Sequence, residues 1–177
     1  MRFADPTANI EQFRLDPGMS VAELGAGIGA YSIAAARVVG RRGVVYAVDI
    51  QQDLLARIAH TADREGLENV EVVWGDIEAV GGSKLLDESI DAIIVSNVLF
   101  LTEDKDGVAR EAVRILKKNG KVLVVDWKDS FGGLGPKRDS IITASETKEL
   151  FARHGLTVER EIQAGAHHYG IIFRQKR

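Results

Sequence analysis

The chain of 177 residues has the size of one domain, and its 45% hydrophobic and 28% charged residues are typical of a globular protein. The absence of cysteine excludes a disulfide scaffold, a cysteine-ligated metal site and a thiol nucleophile, and no metal site is predicted. A net charge of -3 argues against a nucleic-acid-binding protein. No apolar run approaches the ~20 residues of a membrane span, so we expect a soluble, cytoplasmic protein.

Short β-branched runs alternate with longer amphipathic stretches along the whole chain. An N-terminal helical segment occupies residues 1–16 and precedes the first strand. The predicted strands are 20–24, 44–48, 70–74, 90–95, 121–125, 156–162 and 169–174. The predicted helices are 6–15, 31–39, 51–64, a helix capped by Thr102 and ending at Leu116, and a helix that begins with the capping box of Thr143 and Glu146 and ends at His154.

Five strands separated by helices predict right-handed crossovers and an α/β fold. The last two strands are joined by a short loop at residues 163–165, which predicts a hairpin. We therefore expect a doubly wound, mostly parallel seven-stranded sheet with helices on both faces and an antiparallel C-terminal hairpin strand. The whole chain, 1–177, is predicted to form a single domain.

A glycine-rich turn containing Gly25, Gly27 and Gly29 follows the first predicted strand. Ligands bind at the carboxyl ends of the strands in such sheets, and the next helix offers unpaired N–H groups there. Asp49 ends the second strand, 20 residues after Gly29, where a carboxylate can accept both hydroxyls of a ribose. Asp76 ends the third strand, where it can meet an adenine amino group. Together these residues predict an adenosine site, although both carboxylates also suit turns or helix caps.

Two cofactor families use such a site. Gly25, Gly27 and Ala30 satisfy the dinucleotide pattern G-x-G-x-x-G/A. Glu23 argues against a dinucleotide cofactor, because a carboxylate two residues before the first glycine repels a pyrophosphate and attracts an ammonium group. Gly29, which completes G-x-G-x-G, argues in the same direction.

At these residues the sequence resembles the class I S-adenosylmethionine-dependent methyltransferases, a Rossmann-like superfamily, over essentially its whole length. The main difference from the family pattern is in the turn usually written L-K-P-G-G. Here Lys118 and Asn119 stand in place of the proline and the first glycine. The matching segments are ELGAGIG (23–29), VYAVD (45–49), GD (75–76), DAIIVSNVL (91–99) and LKKNGK (116–121).

The resemblance implies S-adenosyl-L-methionine as cofactor, S-adenosyl-L-homocysteine as product, and a role for each matching residue. The glycine-turn residues would line the methionine and ribose portions, Glu23 would lie near the amino group, and Asp49 would bind the ribose. Asp91, at the opposite end of its strand, would be structural. The remaining implied contacts are Gly25, Ala26, Gly27 and Gly29 in the turn, Ile50, Asp76 and Ile77 around adenine, and Asn97 beside the sulfonium.

No residue is assigned firmly to catalysis. Asp126 follows the fifth predicted strand and His168 opens the last one, both at the ligand-binding edge, and a histidine there could accept a proton from the methyl acceptor. Each has a structural alternative, as a loop carboxylate or as part of a surface histidine pair. Residues 131–136 and 2–5 are predicted to cover the site.

The chain lacks a large insertion that would enclose a substrate, so its pocket is either open or completed by a second subunit in a homodimer. We expect a small-molecule acceptor such as a quinone- or polyketide-like ring. The absence of cysteine argues against arsenic methylation through thiols. Two alternatives stay open: an NAD(P)-dependent oxidoreductase, and an S-adenosylmethionine-binding module without catalytic activity.

Overall fold

The computed structural model describes residues 4–130 and 135–175. In these residues no helix is long and apolar enough to cross a bilayer. The strands are β1 (Ser20–Leu24), β2 (Val44–Asp49), β3 (Val70–Trp74), β4 (Ile90–Ser96), β5 (Leu116–Trp127), β6 (Leu156–Ile162) and β7 (His168–Gln175). The α-helices are α1 (Pro6–Phe13), α2 (Ala30–Val39), α3 (Gln52–Arg64), α4 (Lys105–Ile115) and α5 (Ala144–Arg153), and one 3-10 turn spans Arg138–Ser140.

The strands form one seven-stranded sheet in the order β3-β2-β1-β4-β5-β7-β6. Strands β1 to β5 pair with one another in parallel, and β7 runs antiparallel to both β5 and β6. The predicted mostly parallel, doubly wound sheet with an antiparallel C-terminal hairpin strand is confirmed. The strand order reverses between β1 and β4, and this reversal opens a crevice at their carboxyl ends.

Helices cover both faces of the sheet because side chains alternate between two apolar layers along each central strand. In β4, Ile93 and Val95 pack into a core with α4 and α5. Ala92 and Ile94 point to the opposite face and pack with α1 and α2. All four side chains are fully buried, so both layers exclude water from the middle of the sheet.

The starts of α4 and α5 test the predicted caps. At α5 the capping box is confirmed, because Thr143 and Glu146 each accept the other's backbone N–H. The prediction that Thr102 caps α4 is wrong: Asp104 is the N-cap, and its carboxylate accepts the N–H of Gly107 at 2.8 Å. A carboxylate at this position also interacts favourably with the helix dipole, and the Thr102 hydroxyl instead donates to the carbonyl of Leu99.

The fifth strand begins at Leu116, earlier than predicted. Asn119 has a positive φ of 63°, and the strand changes register between its pairing with Ile90 and its pairing with Ala92. The predicted turn is therefore an irregularity inside β5. Asp91 lies at this end of the sheet and accepts hydrogen bonds from the backbone of Ser20 and the ammonium of Lys117.

The connection between β3 and β4, described over all of residues 75–89, contains no helix, unlike the other connections in the parallel part of the sheet. The fully buried Glu111 of α4 fixes it. Its carboxylate accepts the N–H of Gly81 at 2.7 Å and of Ser83 at 3.0 Å, and pairs with Arg114 at 2.7 Å. Burial by itself would raise the pKa of Glu111, but the hydrogen bonds from Arg114, Ser83 and Gly81 outweigh it and lower the pKa to about 2.

The substitution Glu111→Gln should therefore lower the free energy of unfolding at pH 7 by about 2–4 kcal/mol, because it leaves Arg114 without its buried partner. Glu111 has a lower pKa in the folded protein than in the unfolded chain, so its contribution is present at neutral pH and is lost as the pH falls from 4.5 toward about 2. Chemical denaturation at neutral and acidic pH measures both effects.

The matched control is Glu68→Gln, which removes an exposed ion pair with Arg41 and should cost less than about 1 kcal/mol. Equal losses in the two variants at pH 7 would contradict the role of Glu111.

Candidate functional site

A cavity of about 600 Å³ lies at the carboxyl ends of β1, β2, β3 and β4, where the strand order reverses. This volume is typical of a site for one small organic molecule. Of the ten predicted cofactor-binding residues, nine line the cavity: Glu23, Gly25, Ala26, Gly27, Asp49, Ile50, Asp76, Ile77 and Asn97.

The turn after β1 brings its backbone to the cavity wall. Gly25 and Gly27 have positive φ angles of 77° and 54°. The N–H groups of Gly25 and Ala26 both donate to the carbonyl of Val48 at 2.9 Å, which ties the turn to β2. A Cβ on Gly25 would lie 2.5 Å from Cγ2 of Val98, whereas a Cβ on Gly27 would meet no atom of the described residues within 4 Å. Gly27 therefore leaves open space where a side chain would stand.

Gly29 does not line the cavity. It has a positive φ of 76°, and a Cβ there would lie 2.5 Å from Cγ1 of Ile58 in α3. The third glycine of the motif thus allows the start of α2 to approach α3.

Asp49 is nearly buried and holds the turn in place. Its Oδ2 accepts the N–H of Gly27 at 2.8 Å, and its Oδ1 accepts the N–H of Gln51 at 2.9 Å. An ionised carboxylate accepts about four hydrogen bonds, so Asp49 retains acceptor capacity toward the cavity.

Glu23 is buried in the cavity wall at 1% exposure. Its carboxylate accepts the backbone N–H of Ser32 at 2.8 Å, the hydroxyl of Ser32 at 2.6 Å and the hydroxyl of Ser96 at 3.3 Å. Burial raises the pKa of Glu23 to about 7 despite these hydrogen bonds. No basic side chain of the described residues forms an ion pair with it.

Asp76 and Asn97 complete the wall from β3 and β4. Oδ1 of Asp76 accepts the N–H of Glu78 at 2.9 Å. Asn97 has a positive φ of 52°, and its backbone N–H donates to the carbonyl of Val125 at 2.8 Å. Its Oδ1 is buried without a hydrogen-bond partner among the residues that the structure describes. An orphaned buried acceptor in a cavity wall indicates a site for a ligand donor.

Four carboxylates line the cavity: those of Glu23, Asp49, Asp76 and Glu78. No Lys, Arg or His side chain of the described residues lines it. The site is therefore electronegative, which favours cationic ligands and disfavours anionic ones.

Asp126, one candidate for catalysis, lies outside the cavity lining. It is 1% exposed, and its carboxylate accepts the N–H of Leu99 at 3.0 Å and of Trp127 at 2.8 Å. Burial raises the pKa of Asp126 to about 6. These bonds attach the segment after β4, which carries the cavity residues Asn97 and Val98, to the end of β5.

His168, the other candidate, also lies outside the lining. Its ring is buried against the Trp127 ring, with centroids 4.3 Å apart, and burial lowers the pKa of His168 to about 4. Neither ring nitrogen has a hydrogen-bond partner within the described ranges. Most of the predicted covering loop, residues 131–134, lies outside the described residues, as do residues 2 and 3 of the predicted N-terminal cover.

Sequence reasoning missed several cavity residues. Ser96, Val98 and Glu78 neighbour predicted ones along the chain. Tyr31 follows the glycine turn by two residues, where the sequence pattern predicts only a helix. The remaining lining residues are Ala4, Pro6, Ile28, Ala30, Gln51, Gly75, Leu101 and Thr102.

The raised pKa of Glu23 predicts a pH-dependent stability of the ligand-free protein. The folded protein retains a proton that the unfolded chain releases, so the free energy of unfolding should fall as the pH rises from 4.5 to about 7. The fall is on the order of 3 kcal/mol. Thermal denaturation of the wild type and of Glu23→Gln across this range measures it. Parallel pH profiles for the two proteins would contradict the assignment to Glu23.

Comparison with known proteins identifies several methyltransferases as similar to this chain. The sequence model of a family described as methyltransferase domain matches residues 15–169. The chain is similar to the arsenite methyltransferase of Aquipseudomonas alcaligenes, with 37% identity over 82% of this chain and 46% of the relative. It is also similar to the ubiquinone/menaquinone biosynthesis C-methyltransferase of Shewanella frigidimarina, with 32% identity over 67% of this chain and 46% of the relative.

The chain thus spans about half the length of these curated relatives. The crystal structure of an S-adenosylmethionine-dependent methyltransferase from Aquifex aeolicus superposes with a TM-score of 0.88 and 25% identity. That superposition covers 98% of this chain and 91% of the Aquifex chain, so the fold is shared over nearly the full length of both.

Proposed function

Because this chain belongs to the S-adenosylmethionine-dependent methyltransferases of Rossmann-like fold, we propose that it transfers a methyl group from S-adenosylmethionine to a small-molecule acceptor. The electronegative cavity next to the glycine turn is the observation that carries this proposal. When bound, S-adenosylmethionine supplies a methyl group attached to a cationic sulfur. An NAD(P) cofactor fits less well, because its pyrophosphate would be repelled by the carboxylates that line the cavity.

The residues present fit the cofactor. Glu23 is a buried carboxylate with no cationic partner among the described residues, and the ammonium of an amino-acid portion would supply one. Asp49 retains acceptor capacity for ribose hydroxyls, and the open space at Gly27 admits a ligand close to the backbone. Asp76 and Asn97 offer acceptors at the other end of the wall, with Ile50 and Ile77 as apolar surfaces for a base.

The role we assign to the chain in the reaction is positioning. Methyl transfer is an in-line displacement, and holding the two reacting atoms close and collinear in a site that excludes water supplies much of the acceleration. Asp126 contributes indirectly, since it holds the segment that carries Asn97 and Val98. Neither Asp126 nor His168 lines the cavity, so we assign no general base.

For the acceptor we propose a ring-bearing organic molecule rather than arsenite. Arsenite is thiophilic and soft species prefer thiolate ligands, but this chain contains no cysteine. A relative with 32% identity is named for quinone biosynthesis, and an uncharged ring is compatible with a cavity that lacks basic side chains in the described residues.

Isothermal titration calorimetry with S-adenosylhomocysteine, NAD and NADP tests the cofactor assignment. We expect binding of S-adenosylhomocysteine only. Binding of either nicotinamide cofactor without S-adenosylhomocysteine would overturn the proposal.

Incubation with S-adenosylmethionine and parallel acceptors tests the reaction and its substrate. The acceptors are a short-chain quinol, a polyketide-like phenol, and arsenite with added thiol; release of S-adenosylhomocysteine and a mass gain of one methyl group are measured. Turnover of arsenite alone would overturn the acceptor class, whereas binding without turnover would favour a non-catalytic module. Light scattering of the same samples distinguishes a monomer with an open pocket from a homodimer.

Gly27→Ala should weaken S-adenosylhomocysteine binding by about tenfold or more, because the added methyl group occupies the open space at the cavity wall. The control is Gly66→Ala, which also has a positive φ and free space but lies on the surface after α3. Both substitutions place a Cβ on a residue with left-handed backbone conformation, so each should lower the free energy of unfolding by about 1 kcal/mol. Equal affinities of the two variants for S-adenosylhomocysteine would contradict the assignment of Gly27 to the binding site.

A further inference from the structure

The Tyr31 hydroxyl lies in a hydrogen-bond arrangement that leaves its proton unused. Tyr31 stands in the first turn of α2, is 4% exposed and is one of the cavity-lining residues. Nδ2 of Asn9 in α1 donates to the Tyr31 hydroxyl oxygen at 2.8 Å and to the carbonyl oxygen of Ala164 at 3.3 Å.

The carbonyl of Ala164 fixes the direction of both bonds. A carbonyl oxygen only accepts hydrogen bonds, so the Asn9 atom that contacts it is the amide nitrogen, and the same nitrogen donates to Tyr31. The Tyr31 oxygen is therefore an acceptor in this pair, and its own proton must go to another partner. No hydrogen bond donated by the Tyr31 hydroxyl occurs among the described residues.

Starting from the proposed function, we propose that the Tyr31 hydroxyl donates a hydrogen bond to the carboxylate of the amino-acid portion of S-adenosylmethionine and S-adenosylhomocysteine. An α-amino acid carries its ammonium and carboxylate on one carbon, so the two need partners only a few ångströms apart. Ser32, next to Tyr31 in the chain, binds Glu23, the carboxylate that we assign to the ammonium.

The charge of the cavity explains why a neutral hydroxyl is used. No Lys, Arg or His of the described residues lines the cavity, so the ligand carboxylate needs a neutral donor. Burial raises the pKa of Tyr31 to about 12, and the phenol stays protonated at physiological pH. A hydrogen bond from a neutral donor to a carboxylate is charge-assisted and stronger than one between neutral groups.

The test compares two ligands that differ only in the amino-acid portion. S-adenosylhomocysteine carries the carboxylate, whereas 5′-methylthioadenosine keeps the adenosine and the sulfur without it. Calorimetry on Tyr31→Phe should show S-adenosylhomocysteine binding weakened by about 10- to 100-fold, the range expected for a hydrogen bond to a charged group. Binding of 5′-methylthioadenosine should change less than about twofold, which also shows that the variant has a folded site.

The matched control is Tyr46→Phe, which removes a hydroxyl from β2 outside the cavity and should leave both affinities unchanged. If Tyr31→Phe weakens the binding of both ligands equally, or of neither, the proposed role of Tyr31 is overturned. Failure of the wild type to bind S-adenosylhomocysteine would instead overturn the proposed function, so the two failures are distinguishable.

Discussion

The carboxylate of Asp49 is the contact on which the shape of the site depends. It binds the amide of Gly27 on one side and the amide of Gln51 on the other, and so joins the turn after β1 to the start of α3. Parallel pairing of β1 with β2 brings these segments to the same edge of the sheet. A residue that sequence analysis selects as a ligand contact is therefore also the support of the turn.

The buried acidic residues Glu111, Asp126 and Glu23 differ in their surroundings. Glu111 and Asp126 are buried away from the cavity and accept backbone N–H groups, which fixes the segments that carry cavity residues. Glu23, by contrast, is buried in the wall, and its partners among the described residues are two hydroxyls and one amide. A desolvated carboxylate without a counter-ion is unfavourable in the ligand-free protein, and a cationic ligand would relieve that cost.

The fold shows why the same sheet edge does not bring every candidate into the site. Asp126 at the end of β5 accepts the amides of Leu99 and Trp127, and His168 at the start of β7 packs against the Trp127 ring, so neither side chain lines the cavity. Tyr31 reaches the cavity because α2 begins immediately after the glycine turn. The local partners of each side chain and the start of a helix thus decide access to the cavity.

The sequence by itself determined the order of the strands and helices, the antiparallel last strand and the capping box at Thr143, since these depend on local periodicity, turns and caps. It also marked the residues after β1, β2, β3 and β4 that meet at the cavity, because parallel strands bring their carboxyl ends to one edge. Only the tertiary structure decided the surroundings of Gly29, Asp126 and Tyr31. Their contacts with Ile58, Leu99 and Asn9 are set by packing and leave no periodic signal in the chain.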